Sequence, residues 1–298
     1  DYGTIIVPLS DQQDKADSIR EQLHLIARHD GVPIHALKTG LTPSGINLGS
    51  PHSIPLVKPE IALVVGDGVS PTPAGEMWHL LDQRFHMPVS LVEQAALGSA
   101  DLDRYTTILA VSGSYGDDAE PLKKWVKQGG TLVLSGSAVK WAAKDSLVRI
   151  ELIEAEADSL QVPRPYAMLS QDRGAQVIGG AIFAVEIDHT HPLGFGYGAD
   201  PLPVFHRGTA FFRPVDNPYA TPARYAANSL MSGYISKRNT QLMEGAASIA
   251  VVAAGKGRVV LVADELAFRA FWFGTNKLIA NALFFASLVE HNAAVIKR

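Results

Sequence analysis

Short apolar runs alternate with helical patterns through the middle of the chain. Between the runs, apolar residues recur at helical spacing over 72–85 and over 118–128, with Thr72 and Asp118 as the expected caps. The runs are rich in β-branched and aliphatic residues, which is typical of strands buried in a parallel sheet. Four such strands are predicted, at 61–66, 88–92, 105–112 and 131–135.

Toward the C-terminus, two apolar runs at 246–253 and 258–262 flank Gly255-Lys-Gly257, which predicts a hairpin. A final amphipathic helix is predicted over 275–291. Residues 145–250 contain many prolines and short apolar pieces such as 181–187 and 209–212. We interpret this region as strands and loops inserted at one edge of the sheet.

The N-terminal part has a different pattern. A strand is predicted at 4–9, a helix follows from Ala16 to Ala27, and a second strand is predicted at 32–37. The stretch 39–59 is rich in Gly, Pro and Ser, which indicates an extended connector. We therefore divide the chain into a strand-helix-strand segment with its connector, 1–58, and an α/β domain, 59–298.

The β-α-β-β-α-β order with short loops predicts a mostly parallel sheet with helices on both faces. In such sheets ligands bind beyond the carboxyl ends of the strands. Any site is therefore expected in the loops that follow Val65, Val111, Leu134 and Ala263.

Composition excludes several classes of function. The net charge is −4 with no basic run, so a nucleic-acid surface is not expected. The longest strongly apolar stretch, 278–289, is too short to span a bilayer. The chain has no Cys, which excludes a thiolate nucleophile and Cys-ligated zinc.

The turn after the strand 131–135 is the place where a nucleophile elbow would lie. Its sequence is Ser135-Gly-Ser-Ala138, so Gly136 occupies the natural nucleophile position and Ser137 is a displaced candidate. A serine nucleophile also needs a histidine base, and the strand 258–263 ends in Asp264-Glu265 without one. A plain strand-to-helix turn is the alternative.

Metal binding has one weak candidate pair, His189 and His191, which would share a face in a strand. Pro192 and Gly194 follow at once, so a turn at a strand end is the alternative. No histidine is followed three positions later by Glu, as a His-x-x-Glu zinc motif requires.

Polar side chains near the predicted strand ends are the ligand-binding candidates. Asp67 and Ser70 belong to a Gly-rich turn that either cradles a phosphate or is an ordinary turn. Glu76 either faces the positive end of the helix dipole or pairs with Arg269. Arg269 and Trp272 either form the floor of a pocket or fasten the last helix to the sheet. The candidates are Asp67, Ser70, Glu76, Ser114, Tyr115, Ser135, Asp264, Arg269 and Trp272.

Several segments resemble the region that follows the catalytic domain in bacterial zinc carboxypeptidases of the carboxypeptidase A type. The similarity extends over nearly all 298 residues. The segments include Thr39-Gly-Leu-Thr-Pro43, Gly45-Ile-Asn-Leu-Gly-Ser50, Gly75-Glu-Met-Trp78, Thr190-His-Pro-Leu193 and Ser232-Gly-Tyr234.

This resemblance implies a flavodoxin-like sheet of the class I glutamine amidotransferase type behind a peptidase. The amidotransferase nucleophile Cys would fall near Gly136, and the histidine of its His-Pro-Glu strand end near Asp264, so the triad is expected to be absent. Zinc would belong to the upstream peptidase domain, and no cofactor is expected in this chain.

The resemblance also implies partners and a location. The expected partner is the upstream peptidase domain or a second copy of the chain, in a periplasmic or secreted protein. The chain begins with Asp1 rather than Met, which suits a processed product or a fragment.

We therefore expect a non-catalytic accessory domain of a secreted zinc-dependent metallocarboxypeptidase. The alternatives are a module that binds a small molecule, peptide or sugar, and an amidohydrolase that depends on Ser137.

Overall fold

The computed structural model describes residues 2–50, 53–116, 119–153 and 163–290. The chain divides into two compact units, Gly3–Leu56 and Val57–Arg298. The predicted cap Asp118 lies outside the described residues.

The first unit is built around one helix, α1 (Ala16–His29), which confirms the predicted helix. A 3₁₀ turn, Ser10–Lys15, precedes it. The strands predicted at 4–9 and 32–37 are wrong, because the backbone there is irregular. Apolar composition makes a strand only where a neighbouring strand accepts its backbone hydrogen bonds. None of the described residues of this unit is buried.

The second unit contains one mixed sheet with the strand order β2-β1-β3-β4-β11-β10-β9-β6-β7, to which β5 and β8 add a small branch. The strands are β1 (Ile61–Val65), β2 (Val89–Glu93), β3 (Thr107–Ala110), β4 (Thr131–Ser135), β5 (Leu152–Ile153), β6 (Ala181–Ile187), β7 (Leu202–His206), β8 (Phe211–Phe212), β9 (Ala223–Ser232), β10 (Ala247–Ala254) and β11 (Gly257–Val262).

Strands β2, β1, β3, β4 and β11 form the parallel part of the sheet. This confirms the predicted parallel α/β core. β1, β3 and β4 are almost entirely buried, as expected for strands that are covered on both faces. The predicted hairpin is confirmed as the antiparallel pair β10 and β11.

Six helices accompany this sheet in the described part of the second unit. They are α2 (Pro71–His79), α3 (Glu120–Gln128), α4 (Ala138–Lys144), α5 (Leu169–Gln176), α6 (Lys237–Met243) and α7 (Asn276–Phe284). The helix predicted over 72–85 ends earlier than expected and continues as a π turn, Leu80–Arg84. Met77 and Leu81 are buried as predicted, whereas Trp78 is 39% exposed.

The region 145–250 adds strands beyond β10, so the sheet continues antiparallel through β9, β6 and β7. This extension brings the end of β7 back beside the residues that follow β11, because Glu265 N donates to Phe205 O at 3.0 Å. It thereby supplies one wall of the candidate site. Among the described residues no helix is both long and apolar enough to cross a bilayer.

Candidate functional site

A cavity of about 540 Å³ lies beyond the carboxyl ends of the parallel strands. One wall is the start of α2, from Ser70 to Pro73, and another is the loop 207–210 that follows β7. Ser112 follows β3, Ser137 follows β4, and Glu265 follows β11. This is the edge at which parallel α/β sheets bind ligands, so the cavity is the candidate site.

The Ser137 hydroxyl is held by the backbone of Gly113. Gly113 N donates to Ser137 Oγ at 2.9 Å, and Ser137 Oγ donates to Gly113 O at 3.1 Å. Ser137 N donates to Ser112 Oγ at 3.1 Å. Within the described part of the chain, the side-chain hydrogen bonds of Ser137 go to this backbone and none goes to an imidazole. The hydroxyl is therefore held by backbone groups, and no imidazole of the described residues is bonded to it.

Gly136 lies at the turn where a nucleophile elbow would be, and it has no space for a nucleophilic side chain. Its φ is +58°, which glycine adopts readily and other residues adopt with strain. A Cβ on Gly136 would lie only 2.1 Å from Ser112 Oγ. The Ser112 hydroxyl therefore fills the place into which a side chain at position 136 would project.

Arg207 and Glu265 form an ion pair in the wall of the cavity. Arg207 Nε and Nη2 both donate to Glu265 Oε1, at 3.0 and 2.8 Å. The Arg207 side chain is 42% exposed, whereas that of Glu265 is only 10% exposed. Glu265 Oε2 is buried and accepts no hydrogen bond from the described residues. One carboxylate oxygen thus lacks a donor.

A fully buried polar network lies next to this pair in sequence. Tyr225 Oη donates to Asp264 Oδ1 at 2.6 Å, and Ser248 Oγ donates to Asp264 Oδ2 at 2.5 Å. His206 Nδ1 lies 3.1 Å from Asp264 Oδ1. Burial, followed by the charge of Asp264, raises the pKa of Tyr225 well above its usual value.

This network corrects two expectations. Asp264 was predicted to face a ligand, but its side chain is 0% exposed and satisfied by its neighbours. The strand end was also expected to lack an imidazole, yet His206 reaches it from β7, 58 residues away in sequence. The pairing of His206-Arg207 with Asp264-Glu265 left no local signal, because neither dipeptide is unusual by itself.

Of the remaining candidates near the strand ends, Ser70 lines the cavity and the others lie outside its lining. Asp67 and Ser114 are exposed in the adjoining turns, and Ser135 is half-buried at the end of β4. Tyr115 Oη donates to Val111 O at 2.7 Å, while its ring lies 4.7 Å from that of Trp141. Tyr115 therefore packs a loop.

Glu76 and Arg269 are in contact, and the hydrogen bond between them comes from the backbone of Arg269. Arg269 N donates to Glu76 Oε1 at 2.9 Å. Burial raises the pKa of Glu76. The Arg269 guanidinium lies 5.3 Å from the ring centroid of Phe268, and Trp272 Nε1 donates to Pro203 O at 3.2 Å. These contacts favour the fastening role of Arg269 and Trp272 over a pocket floor.

His189 and His191 do not form a metal site in this structure. His191 Nδ1 accepts a hydrogen bond from Leu193 N at 3.1 Å, so the proton of the neutral ring is on Nε2. A ring in that state has no free nitrogen for a metal. His189 is exposed. The described residues contain no group of three or more His, Cys, Asp or Glu that could hold a metal ion.

Comparison with known proteins extends the fold assignment. No family model and no curated protein matches the chain. Among solved structures, PurLQS from Thermotoga maritima is similar over 76% of this chain and 98% of that chain, with 15% identity and a TM-score of 0.51. The chain has the flavodoxin-like, class I glutamine amidotransferase-like fold.

Two further structures are similar at lower TM-scores. The similarity to a thua-like protein from Parabacteroides merdae covers 77% of this chain and 90% of that chain, with 13% identity and a TM-score of 0.45. The similarity to a cytoplasmic protein from Salmonella typhimurium covers 75% of this chain and 97% of that chain, with 12% identity and a TM-score of 0.45. At such identities the likeness concerns the fold alone. None of these comparisons shows an association with a carboxypeptidase, which stays a prediction.

Proposed function

We propose that this chain is a non-catalytic amidotransferase-like domain that acts by binding, as the accessory domain of a zinc carboxypeptidase. The observation that carries the first part is the geometry at Gly136. The backbone turns at Gly136 with a φ of +58°, and Ser112 Oγ occupies the space that a nucleophilic side chain would need. A turn of this kind positions no attacking atom.

Ser137 does not replace the missing nucleophile. A serine becomes nucleophilic when a base accepts its proton, and the base is in turn oriented by a third group. The Ser137 hydroxyl instead donates to the Gly113 carbonyl oxygen, which is not a general base. His206 reaches the residue that follows β11, but its side chain is 0% exposed and bound to Asp264.

The cavity itself persists although the triad is lost. It holds an ion pair, an ammonium group and several hydroxyl groups at the edge of the sheet where related folds bind ligands. Polar groups that are concentrated in a cavity without a reactive centre suit recognition. We therefore assign binding rather than bond cleavage to this site.

The peptidase association rests on the sequence resemblance. In this proposal the catalytic zinc belongs to the partner domain of the same polypeptide, and this chain contributes a surface for packing or for shaping substrate access. The protein would be periplasmic or secreted, as that family implies.

Catalysis by the chain is tested with the purified protein and its Ser137→Ala variant. We expect no stoichiometric zinc and no turnover of glutamine, ester, amide or C-terminal peptide substrates by either protein. Turnover that disappears in Ser137→Ala would establish the amidohydrolase alternative. Turnover that depends on bound zinc would also end the proposal.

The accessory role is tested with the peptidase domain of the same polypeptide, produced separately. We expect a stoichiometric complex in size-exclusion chromatography with light scattering, and a changed KM for C-terminal peptide substrates. Absence of a peptidase domain from the full polypeptide, or no complex at concentrations far above those of the assay, would refute this part.

A further inference from the structure

The cavity beyond the parallel strands offers hydrogen-bonding groups of both kinds. Glu265 Oε2 is a buried acceptor that receives no donor from the described residues. Lys140 Nζ lies in the same lining and donates to Thr209 Oγ1 at 3.3 Å. The hydroxyl groups of Ser70 and Thr72 also line the cavity, and the Ser70 side chain does not cap α2. A ligand here meets an acceptor, donors and hydroxyl groups together.

An anionic ligand fits this arrangement poorly. The start of a helix attracts anions through its free backbone N–H groups. In α2 two of the first three residues are Pro71 and Pro73, which have no N–H to offer. Lys140 and Arg207 would attract an anion, but Arg207 already pairs with Glu265, and the unpaired Glu265 oxygen would repel the anion. The site therefore lacks the donors that phosphate-binding helix starts provide.

A simple cation fits poorly as well. The charged groups in the lining are Lys140, Arg207 and Glu265, and these sum to one net positive charge. Glu265 already shares Oε1 with two N–H groups of Arg207. An ammonium group would gain a hydrogen bond to Glu265 Oε2 but would lie close to the positive side chains of Lys140 and Arg207, so its binding is disfavoured.

A neutral hydroxyl group suits both the acceptor and the donors of the lining, because it donates one hydrogen bond and accepts others. A hydroxyl that enters beside Arg207, whose side chain is 42% exposed, would supply the donor that Glu265 Oε2 lacks. A neighbouring hydroxyl on the same ligand would accept from Lys140 or from Thr72. The cavity of about 540 Å³ lies within the range that holds small molecules, roughly 300 to 1,000 Å³.

We propose that this cavity binds a neutral polyhydroxylated small molecule, a sugar or polyol, with Glu265 as the principal acceptor. The inference deepens the proposed function, because it assumes that the cavity binds a ligand without cleaving it. It names the ligand class, and it does not depend on the peptidase partner.

The test measures binding of neutral probes to the whole chain by saturation-transfer NMR and calorimetry. The probes are glucose, galactose, sucrose and mannitol, and the comparison compounds are inorganic phosphate, glycine and methylammonium. Two variants report on the site: Glu265→Gln converts the unpaired acceptor into a donor, and Thr72→Val removes an exposed hydroxyl at nearly constant shape. The matched control is Glu151→Gln, which alters a similar arginine pair, Arg213 Nε to Glu151 Oε1 at 2.9 Å, outside the cavity.

We expect saturable binding of at least one neutral probe, and an affinity about tenfold lower in Glu265→Gln, because a hydrogen bond to a charged group is lost. Thr72→Val should lower the affinity for the same probe, and Glu151→Gln should leave that affinity unchanged. Thr72→Val decides the matter if Glu265→Gln does not fold.

Three results would overturn the inference. They are no binding by any neutral probe, binding of phosphate, glycine or methylammonium in preference to the neutral probes, and equal probe affinity in the native chain and the folded cavity variants. Chemical conversion of a bound probe would instead refute the non-catalytic role and leave the ligand class standing. The two proposals therefore fail in different ways.

Discussion

Replacement of Gly136 by Ala tests the idea that Ser112 fills the nucleophile position. The new Cβ would lie 2.1 Å from Ser112 Oγ, so one of the two groups must move. The easiest relief is rotation of the Ser112 side chain, which breaks its hydrogen bond from Ser137 N at 3.1 Å. The substitution also places a β-carbon on a backbone with a φ of +58°.

The expected loss of stability is the sum of these two effects. A left-handed conformation costs a residue other than glycine about 1 to 2 kcal/mol. Loss of the hydrogen bond to Ser112 costs about 1 kcal/mol. Gly136→Ala should therefore lower the free energy of unfolding of the second unit by about 2 to 3 kcal/mol.

Urea unfolding followed by tryptophan fluorescence measures this change. All four tryptophans lie in the second unit, so the signal reports on the unit that contains Gly136. Gly245→Ala is the matched control, because Gly245 has a φ of +70° and no atom within 4 Å of the added Cβ. It should show the backbone cost alone.

The contribution of Ser112 is isolated by repeating Gly136→Ala in a Ser112→Ala background. There the nearest Ser112 atom would be its Cβ at 3.4 Å, and the hydrogen bond is already absent. The penalty should fall by about 1 kcal/mol. An equal penalty in both backgrounds, or no penalty in the native background, would refute the view that the Ser112 hydroxyl occupies this space.

Three further predictions follow from the buried polar groups and the unit boundary. Tyr225→Phe removes a 2.6 Å hydrogen bond to the buried Asp264 carboxylate and should cost about 2 kcal/mol in urea unfolding; an unchanged midpoint would contradict it. Burial lowers the pKa of His191 to about 4 from 6.5, so the unfolded chain takes up this proton first, and stability should fall as the pH drops from 6.5 toward 4. In histidine NMR spectra its ring should stay mainly neutral down to about pH 5 and titrate near pH 4, and titration near pH 6.5 would contradict this. A fragment that begins at Val57 should retain the sheet and a cooperative unfolding transition, because none of the described residues before it is buried; loss of either feature would show that the first unit is needed for folding.

Much of the second unit was predictable because its signals are local. β1, β4 and the pair β10 and β11 are short runs of aliphatic residues bounded by glycines or polar turns, and each lies where it was predicted. The parallel order of the central strands follows from the helices and short loops between them. Strands β7 and β9 were missed because Pro203 interrupts the first and polar residues such as Asn228 and Ser229 occur within the second.

The site was less predictable because its groups meet across long sequence separations. Ser137 was correctly placed after β4, but the Gly113 backbone that holds its hydroxyl lies 24 residues away. Glu76 does approach Arg269, yet through the backbone N–H at a separation of 193 residues. Neither the chemical partner nor the atom involved can be read from composition or periodicity.

Alone, the sequence determined the elements with a strong local pattern, the absence of Cys chemistry, and the glycine at the elbow. Tertiary structure decided which polar groups meet: His206-Arg207 with Asp264-Glu265, and Ser112 with the space beside Gly136. The reason is physical. Periodicity records how each segment faces the core, whereas a pairing between side chains depends on strand order and register, which are settled only when distant segments pack together.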